Sequence, residues 1–401
     1  MKVLQINSVC GIRSTGRICT DIAEILNQKG HDCLIAYGRE TVPARYADIA
    51  IRTDSVTGVK LHALQSRVFD NSGFIRKKAT EKLTKSIMQY APDVIHLHNL
   101  HGYYINVEAL FDFLKKYRKP VVWTLHDCWA FTGHCTHFDK IGCSMWKQGC
   151  AACPQKTRYP ASYLFDRSKK NYQRKKELFQ GVERMTIVTP SCWLASFVKQ
   201  SFLKEYPLQV IHNGIDCNIF KPTTGRFRED YGIVNPKVVL GVASGFDAGK
   251  GFYDFLQLSK KIKPNYMIVL VGLTKRQAAE LPDNIIGIER TNDVAQLAEI
   301  YAAADVFVNP TYEDNYPTTN LEAQCCGTPA ITYNTGGSIE SVPKTQVVNQ
   351  GDIDALLKKI YDVCERGDFS LPERGQFDKM KAFEKYIALY ETYSNKNGDR
   401  P

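Results

Sequence analysis

The sequence predicts an α/β protein of two domains, each with a parallel β-sheet covered by helices. Short apolar runs rich in β-branched residues alternate with longer helix-like runs along almost the whole chain. This alternation is typical of parallel sheets that are covered on both faces. The 401 residues exceed what one hydrophobic core usually holds, which favours two domains of roughly 200 residues each.

The first series of apolar runs predicts the sheet of an N-terminal domain over residues 1–212. These runs are short and nearly continuous in apolar residues, as buried parallel strands are. The predicted strands are residues 2–6, 32–36, 94–97, 121–124 and 185–189. A glycine-containing loop, residues 10–18, follows the first strand and precedes a helix predicted over residues 18–29.

The second series predicts a C-terminal domain over residues 213–380, joined to the first between the segment 210–216 and Pro236. Its predicted strands are residues 238–242, 267–271, 285–288, 306–308 and 330–332. A last helix is predicted over residues 377–393 and a polar, frayed tail over residues 395–401.

Charge is distributed unevenly between the two halves. The net charge of the chain is +10, made of +14 in residues 1–200 and −4 in residues 201–401. Basic clusters lie at residues 76–85 and 167–176, both in helix-like segments. Basic helical faces adsorb to anionic lipid, so peripheral contact with an anionic membrane and an ordinary solvated surface both remain open. No nucleic-acid motif accompanies the charge, and we expect no nucleic-acid partner.

The amino terminus is expected to form a strand rather than a signal peptide, and no run is long and apolar enough to span a bilayer. The expected location is therefore the cytoplasm, with the inner face of the membrane as the place of any peripheral contact.

The most informative stretch is residues 312–329, which places two carboxylates, Asp314 and Glu322, eight residues apart. The apolar run before it predicts a buried strand, and Pro317 and Thr318 are typical of a helix start. Asp314 would lie in the loop after the strand, and Glu322 about one turn into the helix. Helix starts of this kind favour anions, including diphosphates.

This stretch resembles the donor-site motif of retaining glycosyltransferases of family 4, in which two acids precede an Ala-x-x-x-Gly-x-Pro segment. Asp314 stands where Glu is usual, and Asn315 and Pro317 fit the acid-Asn-aromatic-Pro variant of the motif. Glu313 is the alternative first acid. The resemblance, especially to bacterial capsule and exopolysaccharide enzymes, implies two Rossmann-like domains, the GT-B fold, with parallel sheets facing an interdomain cleft. It also implies that residues 381–401 contain a helix that crosses back to the first domain, followed by the tail.

The resemblance assigns roles in donor binding. Asp314 would contact the sugar, Glu322 would bind the ribose hydroxyls, and Lys250 would neutralise the diphosphate as a point charge. Ser244 stands where the family usually has an Arg, so Arg290 or Arg17 would supply a second cation. The remaining donor-side positions are the loop glycines Gly16, Gly336 and Gly337, where the backbone can approach a phosphate or sugar closely.

In the first domain, His126 and Asp127 follow a predicted strand and point to the active site. By resemblance His126 orients the donor sugar as a neutral hydrogen-bonding group and does not act as a general base, while Asp127 lies on the acceptor side. His98, Asn99 and Tyr103 follow another strand and are further acceptor-side candidates. His96 and His98 are expected to face opposite sides of their strand, which would exclude a two-histidine metal site.

Four cysteines lie within 19 residues: Cys135, Cys143, Cys150 and Cys153. The segment has few apolar residues to form a local core, and a tetrathiolate zinc ion would hold it together. His134 and His137 are alternative ligands, and free thiols or disulfides remain open.

The predicted function is retaining transfer of a sugar from a nucleotide diphosphate-sugar donor to a cell-surface polysaccharide or lipid-linked glycan. The resemblance implies no cofactor for catalysis, with zinc, if bound, only structural. Two alternatives stay open. One is a sugar-nucleotide epimerase or a phosphorylase of the same architecture, and the other is a catalytically idle nucleotide-sugar-binding subunit.

Overall fold

The computed structural model describes residues 1–395, and the predicted tail beyond Asn395 lies outside this range. The chain forms two compact units. Unit 1 comprises Met1–His212 and the chain from Phe383 onward, and unit 2 comprises Asn213–Ala382.

Unit 1 contains a seven-stranded sheet in which every neighbouring pair is parallel. Its strands are β1 (Lys2–Asn7), β2 (Asp32–Tyr37), β3 (Ala50–Arg52), β4 (Val94–Leu97), β5 (Val121–Thr124), β6 (Met185–Thr189) and β7 (Leu208–Val210). Their spatial order is β3-β2-β1-β4-β5-β6-β7. Every residue of β4, β5 and β6 is buried, which explains why their sequences are almost entirely apolar or β-branched.

Helices of unit 1 cover this sheet. They are α1 (Arg13–Gln28), α2 (Val56–Phe69), α3 (Lys77–Tyr90), α4 (Val107–Tyr117), α5 (Ser168–Phe179) and α6 (Cys192–Val198). Shorter 3-10 helices lie at Ala44–Ile49, Trp129–Phe131, Asp139–Ile141 and Met145–Lys147. Trp123, Phe111 and Phe179 pack together in the core in tilted and edge-on contacts, with ring centroids 4.4 to 5.4 Å apart.

Unit 2 contains a six-stranded parallel sheet in the order β10-β9-β8-β11-β12-β13. Its strands are β8 (Lys237–Val242), β9 (Tyr266–Val271), β10 (Ile285–Ile288), β11 (Val306–Asn309), β12 (Ala330–Tyr333) and β13 (Val347–Val348). The helices are α7 (Phe227–Asp230), α8 (Phe252–Ser259), α9 (Lys275–Ala279), α10 (Val294–Ala303), α11 (Thr318–Cys325) and α12 (Ile353–Arg366). Short 3-10 helices lie at Ala248–Lys250, Gly336–Ser341, Lys344–Gln346 and Arg374–Gln376.

The last helix, α13 (Lys379–Asn395), begins in unit 2 and continues into unit 1. There its tyrosines contact the sheet: the Tyr390 hydroxyl lies 2.6 Å from His96 Nδ1, and Thr124 Oγ1 donates to the Tyr386 hydroxyl at 3.1 Å. Both tyrosines are almost fully buried. Hydrogen bonds inside the core thus fix this helix to β4 and β5.

The prediction of two parallel α/β sheets is confirmed, and all ten predicted strands are present. Two predicted helix starts are wrong, because α1 begins at Arg13 and not at Ile18, and α13 begins at Lys379 and not at Phe377. Gly16 and Arg17 therefore lie in the first turn of a helix rather than in a loop. Gly11 N donates to Gly16 O at 3.0 Å, which closes the short turn before this helix.

Candidate active site

The strand orders identify where each sheet is expected to bind a ligand. In an open parallel sheet, ligands bind beyond the carboxyl ends of the strands at the point where the strand order reverses. That point lies between β1 and β4 in unit 1 and between β8 and β11 in unit 2. The loops that follow these strands carry His98 in unit 1 and Lys250 and Asp314 in unit 2.

The loop after β8 is shaped to hold Lys250 against the loop after β11. Asp247 caps the short 3-10 helix, since its Oδ1 accepts from the backbone N–H groups of Gly249 and Lys250 at 2.7 and 2.9 Å. Gly251 has φ +73, and a Cβ there would lie 2.4 Å from the carbonyl oxygen of Pro310. Only glycine allows this approach, which brings the two loops into contact.

Lys250 and Asp314 form an ion pair. Lys250 Nζ donates to Asp314 Oδ2 at 2.7 Å and to the carbonyl oxygen of Glu313 at 3.1 Å. The lysine side chain is 38% exposed and the aspartate side chain 21% exposed, so a ligand can reach both. Of the two neighbouring acids, Asp314 presents its carboxylate to Lys250 and Glu313 presents its backbone carbonyl.

Glu322 lies on α11, as predicted, but it is only 2% exposed. Its Oε2 accepts from the Tyr301 hydroxyl at 3.0 Å. The preceding turn of α11 is fixed by Asn320, whose Nδ2 donates to Ser341 Oγ at 2.8 Å. The contact of Glu322 with a ribose therefore stays a prediction, and it requires the ligand to reach a buried carboxylate.

The second glycine loop is joined to the same site. Gly336 and Gly337 open the 3-10 helix after β12, and Gly337 N donates to the carbonyl oxygen of Asp314 at 3.3 Å. Asn315 is buried next to Asp314, with its N–H donating to Asp314 Oδ1 at 2.9 Å. The structure thus brings Lys250, Asp314, Asn315 and Gly337 together.

Ser244 and Arg290, the other donor-side predictions in unit 2, are both exposed and follow β8 and β10. Because β10 is an edge strand two places from β8, Arg290 does not follow a strand at the switch point. Its role as the second cation stays a prediction.

In unit 1, a chain of hydrogen bonds fixes the tautomer of His126. Gln5 Nε2 donates to the Cys19 carbonyl at 2.8 Å, which leaves Gln5 Oε1 to accept from His98 Nε2 at 3.0 Å. His98 Nδ1 must then accept, and it lies 3.0 Å from His126 Nε2. The network therefore places the hydrogen of neutral His126 on Nε2 and makes Nδ1 the acceptor atom of the ring.

Both histidines are held neutral. Burial lowers the pKa of His126 to about 4, despite the opposing charge of Asp127. Burial, reinforced by the neighbouring histidines, holds the pKa of His98 well below its usual value. His98 is only 1% exposed and both of its ring nitrogens are bonded inside the unit, to Gln5 and to His126, so its place on the acceptor side stays a prediction.

The expectation that His96 and His98 face opposite sides of β4 is wrong. Their ring centroids lie 3.9 Å apart, because residues two apart along a strand share a face. Both ring nitrogens of His96 are hydrogen-bonded: Nε2 lies 2.8 Å from Thr124 Oγ1, and Nδ1 contacts the Tyr390 hydroxyl. His96 and His98 thus belong to a buried hydrogen-bonded cluster. Within residues 1–395, no group of three or more His, Cys, Asp or Glu side chains is arranged to hold a metal ion.

Asp127 belongs to a second polar cluster. Its Oδ2 lies 2.6 Å from His101 Nε2, and its Oδ1 accepts from the backbone N–H of Trp129 at 2.9 Å. Burial would raise the pKa of Asp127, but His101 and the hydrogen bonds outweigh burial and lower it to about 2. His101 Nδ1 in turn lies 3.0 Å from the Tyr159 hydroxyl. Asp127 is therefore an ionised group with a fixed orientation.

The remaining acceptor-side candidates lie around these clusters. Asn99 is partly exposed, and its backbone N–H donates to Asn7 Oδ1 at 3.3 Å. Tyr103 is 6% exposed and packs edge-on against Tyr159, with ring centroids 5.9 Å apart. Tyr103 therefore contributes packing to the Tyr159 side of the cluster.

The sequence interpretation missed Gln5, Asn7, His101 and Tyr159. Gln5 and Asn7 are polar side chains buried in an otherwise apolar β1. A buried polar residue in a central strand needs a partner, and that signal could have identified both.

The four cysteines of the predicted zinc loop lie near one another but are not among any described group of three or more side chains arranged to hold a metal ion. Cys135 and Cys153 share a hydrogen bond that lowers the pKa of Cys153 to about 7, and Cys150 Sγ accepts from Gly133 N at 3.2 Å. Cys143 is partly exposed. Structural zinc stays a prediction.

Comparison with known proteins identifies the family. Residues 15–219 match the family described as Glycosyltransferase Family 4, which is half of the chain, and residues 224–380 match Glycosyl transferases group 1. The chain belongs to glycosyltransferase family 4. It is therefore a transferase with the GT-B fold, as the donor-site motif predicted.

Relatives of this glycosyltransferase include proteins named for polysaccharide synthesis. It is 24% identical to the putative colanic acid biosynthesis glycosyl transferase WcaC of Escherichia coli K12, over 98% of this chain and all of that one. It is also 24% identical to the capsular polysaccharide biosynthesis glycosyltransferase CapM of Staphylococcus aureus, over 49% of this chain and 58% of that one.

Solved structures show the same fold. Sucrose-phosphate synthase of Thermosynechococcus elongatus superposes with a TM-score of 0.70 at 17% identity, covering 98% of this chain and 99% of that one. Anabaena HepE, solved with UDP and glucose, superposes with a TM-score of 0.67 at 15% identity, covering 98% and 99%. Within residues 1–395, the glycosyltransferase has no helix with the length and hydropathy of a membrane span.

Proposed function

We propose that this enzyme transfers a sugar, with retention of anomeric configuration, from a nucleotide diphosphate-sugar to a growing polysaccharide or lipid-linked glycan. The observation that carries the proposal is the Lys250–Asp314 pair at the switch point of the unit 2 sheet. The switch point is the place where this fold binds nucleotides. The ion pair there offers a cation to the diphosphate and an anion to the sugar hydroxyls of a nucleotide-sugar.

Lys250 stabilises the leaving group. When the bond between the anomeric carbon and the phosphate oxygen breaks, the departing nucleoside diphosphate gains negative charge. The ammonium of Lys250, together with backbone N–H groups of the Gly336–Ser341 helix, stabilises that charge. Asp314 is then released from Lys250 and accepts hydrogen bonds from sugar hydroxyls, while Glu322 holds the ribose.

His126 orients the sugar. As a neutral ring with its hydrogen on Nε2, it presents Nδ1 as an acceptor for a sugar hydroxyl. The acceptor hydroxyl attacks the anomeric carbon from the face that the diphosphate leaves, and its proton goes to the departing phosphate oxygen. This route needs positioning and charge stabilisation more than a protein base.

The names of WcaC and CapM support a polysaccharide acceptor, and the UDP and glucose bound to HepE support a nucleotide-sugar donor. Asp127, oriented by His101, is our candidate for contact with acceptor hydroxyls. We propose that transfer takes place on the cytoplasmic side of the membrane, where nucleotide-sugars are made, and that it needs no metal or organic cofactor.

A donor panel tests the proposal. Purified enzyme is incubated with individual nucleotide diphosphate-sugars, with and without glycan acceptor and with excess chelator. We expect one donor to release nucleoside diphosphate, faster with acceptor and undiminished by the chelator. No release with any donor would favour an idle binding subunit, interconversion of the donor sugar would favour an epimerase, and phosphate-dependent glycan cleavage would favour a phosphorylase.

A further inference from the structure

One surface of unit 1 exposes large apolar side chains that the catalytic proposal does not use. They belong to α2 and to the segment just before α5. The members are Leu61 (46% exposed), Leu64 (58%), Phe69 (39%), Tyr163 (61%), Leu164 (67%) and Phe165 (49%). We call these six residues the apolar patch. Soluble proteins rarely expose a continuous apolar surface without a binding role.

The two segments of the apolar patch are bonded to each other. The segment 163–165 runs along the end of α2, where Tyr163 N donates to Arg67 O at 2.7 Å and Phe165 N donates to Val68 O at 3.1 Å. The rings of Phe69 and Phe165 stack with centroids 5.7 Å apart and planes 14° apart. These contacts hold segment 163–165 and Phe69 together at the end of α2, and Leu61 and Leu64 are exposed one to two turns earlier on the same helix.

Positive charge surrounds the apolar patch. Helix α2 contains no Asp or Glu, and its Lys60 and Arg67 are exposed beside Leu61 and Leu64. The guanidinium of Arg167 lies 5.7 Å from the centroid of the Phe69 ring and 5.9 Å from that of Phe165. The apolar surface therefore has basic residues on both sides.

A basic groove continues from the same arginine along α5. It is open and has a volume of about 490 Å³. Its lining residues include Arg167, Lys169, Lys170 and Arg174, with Asp166 and Glu177 as the acidic members. Such a groove has the size and charge to receive phosphate groups next to an apolar surface.

We infer that the apolar patch and the basic groove together bind the surface of an anionic lipid bilayer. A bilayer offers both of the chemistries present here, acyl chains for exposed Leu, Phe and Tyr side chains and lipid phosphates for the flanking cations. A protein partner for this surface would need an apolar face with acidic margins, and a second copy of this basic chain lacks that complement here. The sequence showed the basic cluster of residues 167–176 but not the apolar residues that adjoin it.

The position of the patch suits a lipid-linked acceptor. Tyr159, four residues before Tyr163, bonds His101, which holds Asp127. The patch residue Tyr163 is therefore only four residues in sequence from Tyr159, which belongs to the acceptor-side cluster of the same unit. Only this consequence rests on the proposed function, whereas membrane binding stands independently of it.

Vesicle flotation tests the inference. The full-length protein is mixed with vesicles of phosphatidylcholine alone or with phosphatidylglycerol in equal amount. We expect flotation with the anionic vesicles only, and its loss in roughly 1 M salt, where charges are screened beyond about 3 Å. Replacing Leu164 and Phe165 by Glu should lower the partition coefficient at least about tenfold, as should Lys169→Ala with Lys170→Ala.

The matched control is the pair Val234→Glu and Tyr253→Glu, which are 83% and 59% exposed in unit 2 and should leave flotation unchanged. Unaltered melting temperature and nucleoside diphosphate binding would show that the patch variants are folded. The inference is overturned if the wild type stays with the lipid-free fraction, or if patch variants float as well as wild type. It is also overturned if light scattering shows that the patch variants turn a dimer into a monomer while wild type binds no vesicles.

Discussion

At the residue scale, the two neighbouring acids Glu313 and Asp314 have different surroundings. Asp314 points its carboxylate at Lys250, whereas Glu313 gives Lys250 only its backbone carbonyl. We predict that Asp314→Asn lowers turnover about 100-fold, because the donor sugar loses a charged hydrogen-bond acceptor. The turnover of Glu313→Gln should stay within about threefold of wild type, because the carboxylate that faces Lys250 is kept. Steady-state release of nucleoside diphosphate measures both, and equal losses in the two variants would contradict the assignment.

His126 is the residue that we propose orients the donor sugar, and it is bonded to the buried His98. We predict that His126→Ala lowers turnover about 100-fold or more, since the sugar loses its acceptor atom. The variant should also lose about 1–2 kcal/mol of stability, because His98 Nδ1 is left without its donor. His31→Ala, a change remote from this network, is the control for both turnover and urea unfolding. Near-normal turnover of His126→Ala would exclude the proposed orienting role.

At the element scale, helix α2, strand β4 and the loops after β4 and β5 contain buried histidines that resist protonation. Burial lowers the pKa of His62 and of His126 to about 4, and holds the pKa of His96 and His98 well below their usual value. Because the unfolded chain takes up these protons near pH 6.5, the free energy of unfolding should be highest above that pH. It should fall as the pH drops toward 4. His134 acts in the opposite direction, since its bond to Asp70 outweighs burial and raises its pKa.

The variant His62→Gln removes the contribution of one of these histidines to the pH dependence of unfolding. His62 Nε2 accepts from Gly73 N at 3.3 Å, and a glutamine oxygen can accept the same bond. We predict that urea unfolding measured from pH 4.5 to 6 shows a slope against pH shallower by about 1.4 kcal/mol per pH unit than in wild type. An unchanged slope would mean that His62 is protonated in the folded protein.

The contact of α13 with the sheet is also testable at this scale. Tyr390→Phe keeps the ring in the core but leaves His96 Nδ1 without its partner, which should cost about 1–3 kcal/mol in urea unfolding. Tyr231→Phe, at a position 42% exposed, should change stability by less than about 0.5 kcal/mol. A loss in Tyr390→Phe no larger than in Tyr231→Phe would show that the bond does not fix the helix.

The elements show what the sequence could predict. The strands that were predicted have at least four residues and are mostly buried and apolar, including the edge strand β10. The other edge strands, β3, β7 and β13, have two or three residues each and give no such signal. Lys250, Asp314 and Glu322 were predicted from local motifs by resemblance to a family, and the structure pairs Lys250 with Asp314. The hydrogen bonds of Gln5 with His98 depend on the pairing of β1 with β4, which aligns Gln5 with His96 across 91 positions of sequence. No local pattern encodes such a register.

At the scale of the whole molecule, the candidate site residues are distributed over both units. Unit 2 holds the Lys250–Asp314 pair and unit 1 holds His126 and Asp127, each beyond the strands at the centre of its own sheet. The net charge follows the same division, with +14 in residues 1–200 and −4 in residues 201–401. The proposed binding of unit 1 to an anionic membrane and of unit 2 to a nucleotide would account for this asymmetry without any nucleic-acid partner.

The central claim is that Lys250 binds the diphosphate of a nucleotide-sugar. Calorimetric titration of nucleoside diphosphates into wild type, Lys250→Ala and Lys260→Ala tests it most directly, since Lys250 and Lys260 lie just before and just after α8. We expect one nucleoside diphosphate to bind wild type and Lys260→Ala alike and to bind Lys250→Ala at least about tenfold more weakly, because one charge-assisted contact is lost. Equal affinity in all three proteins would contradict it.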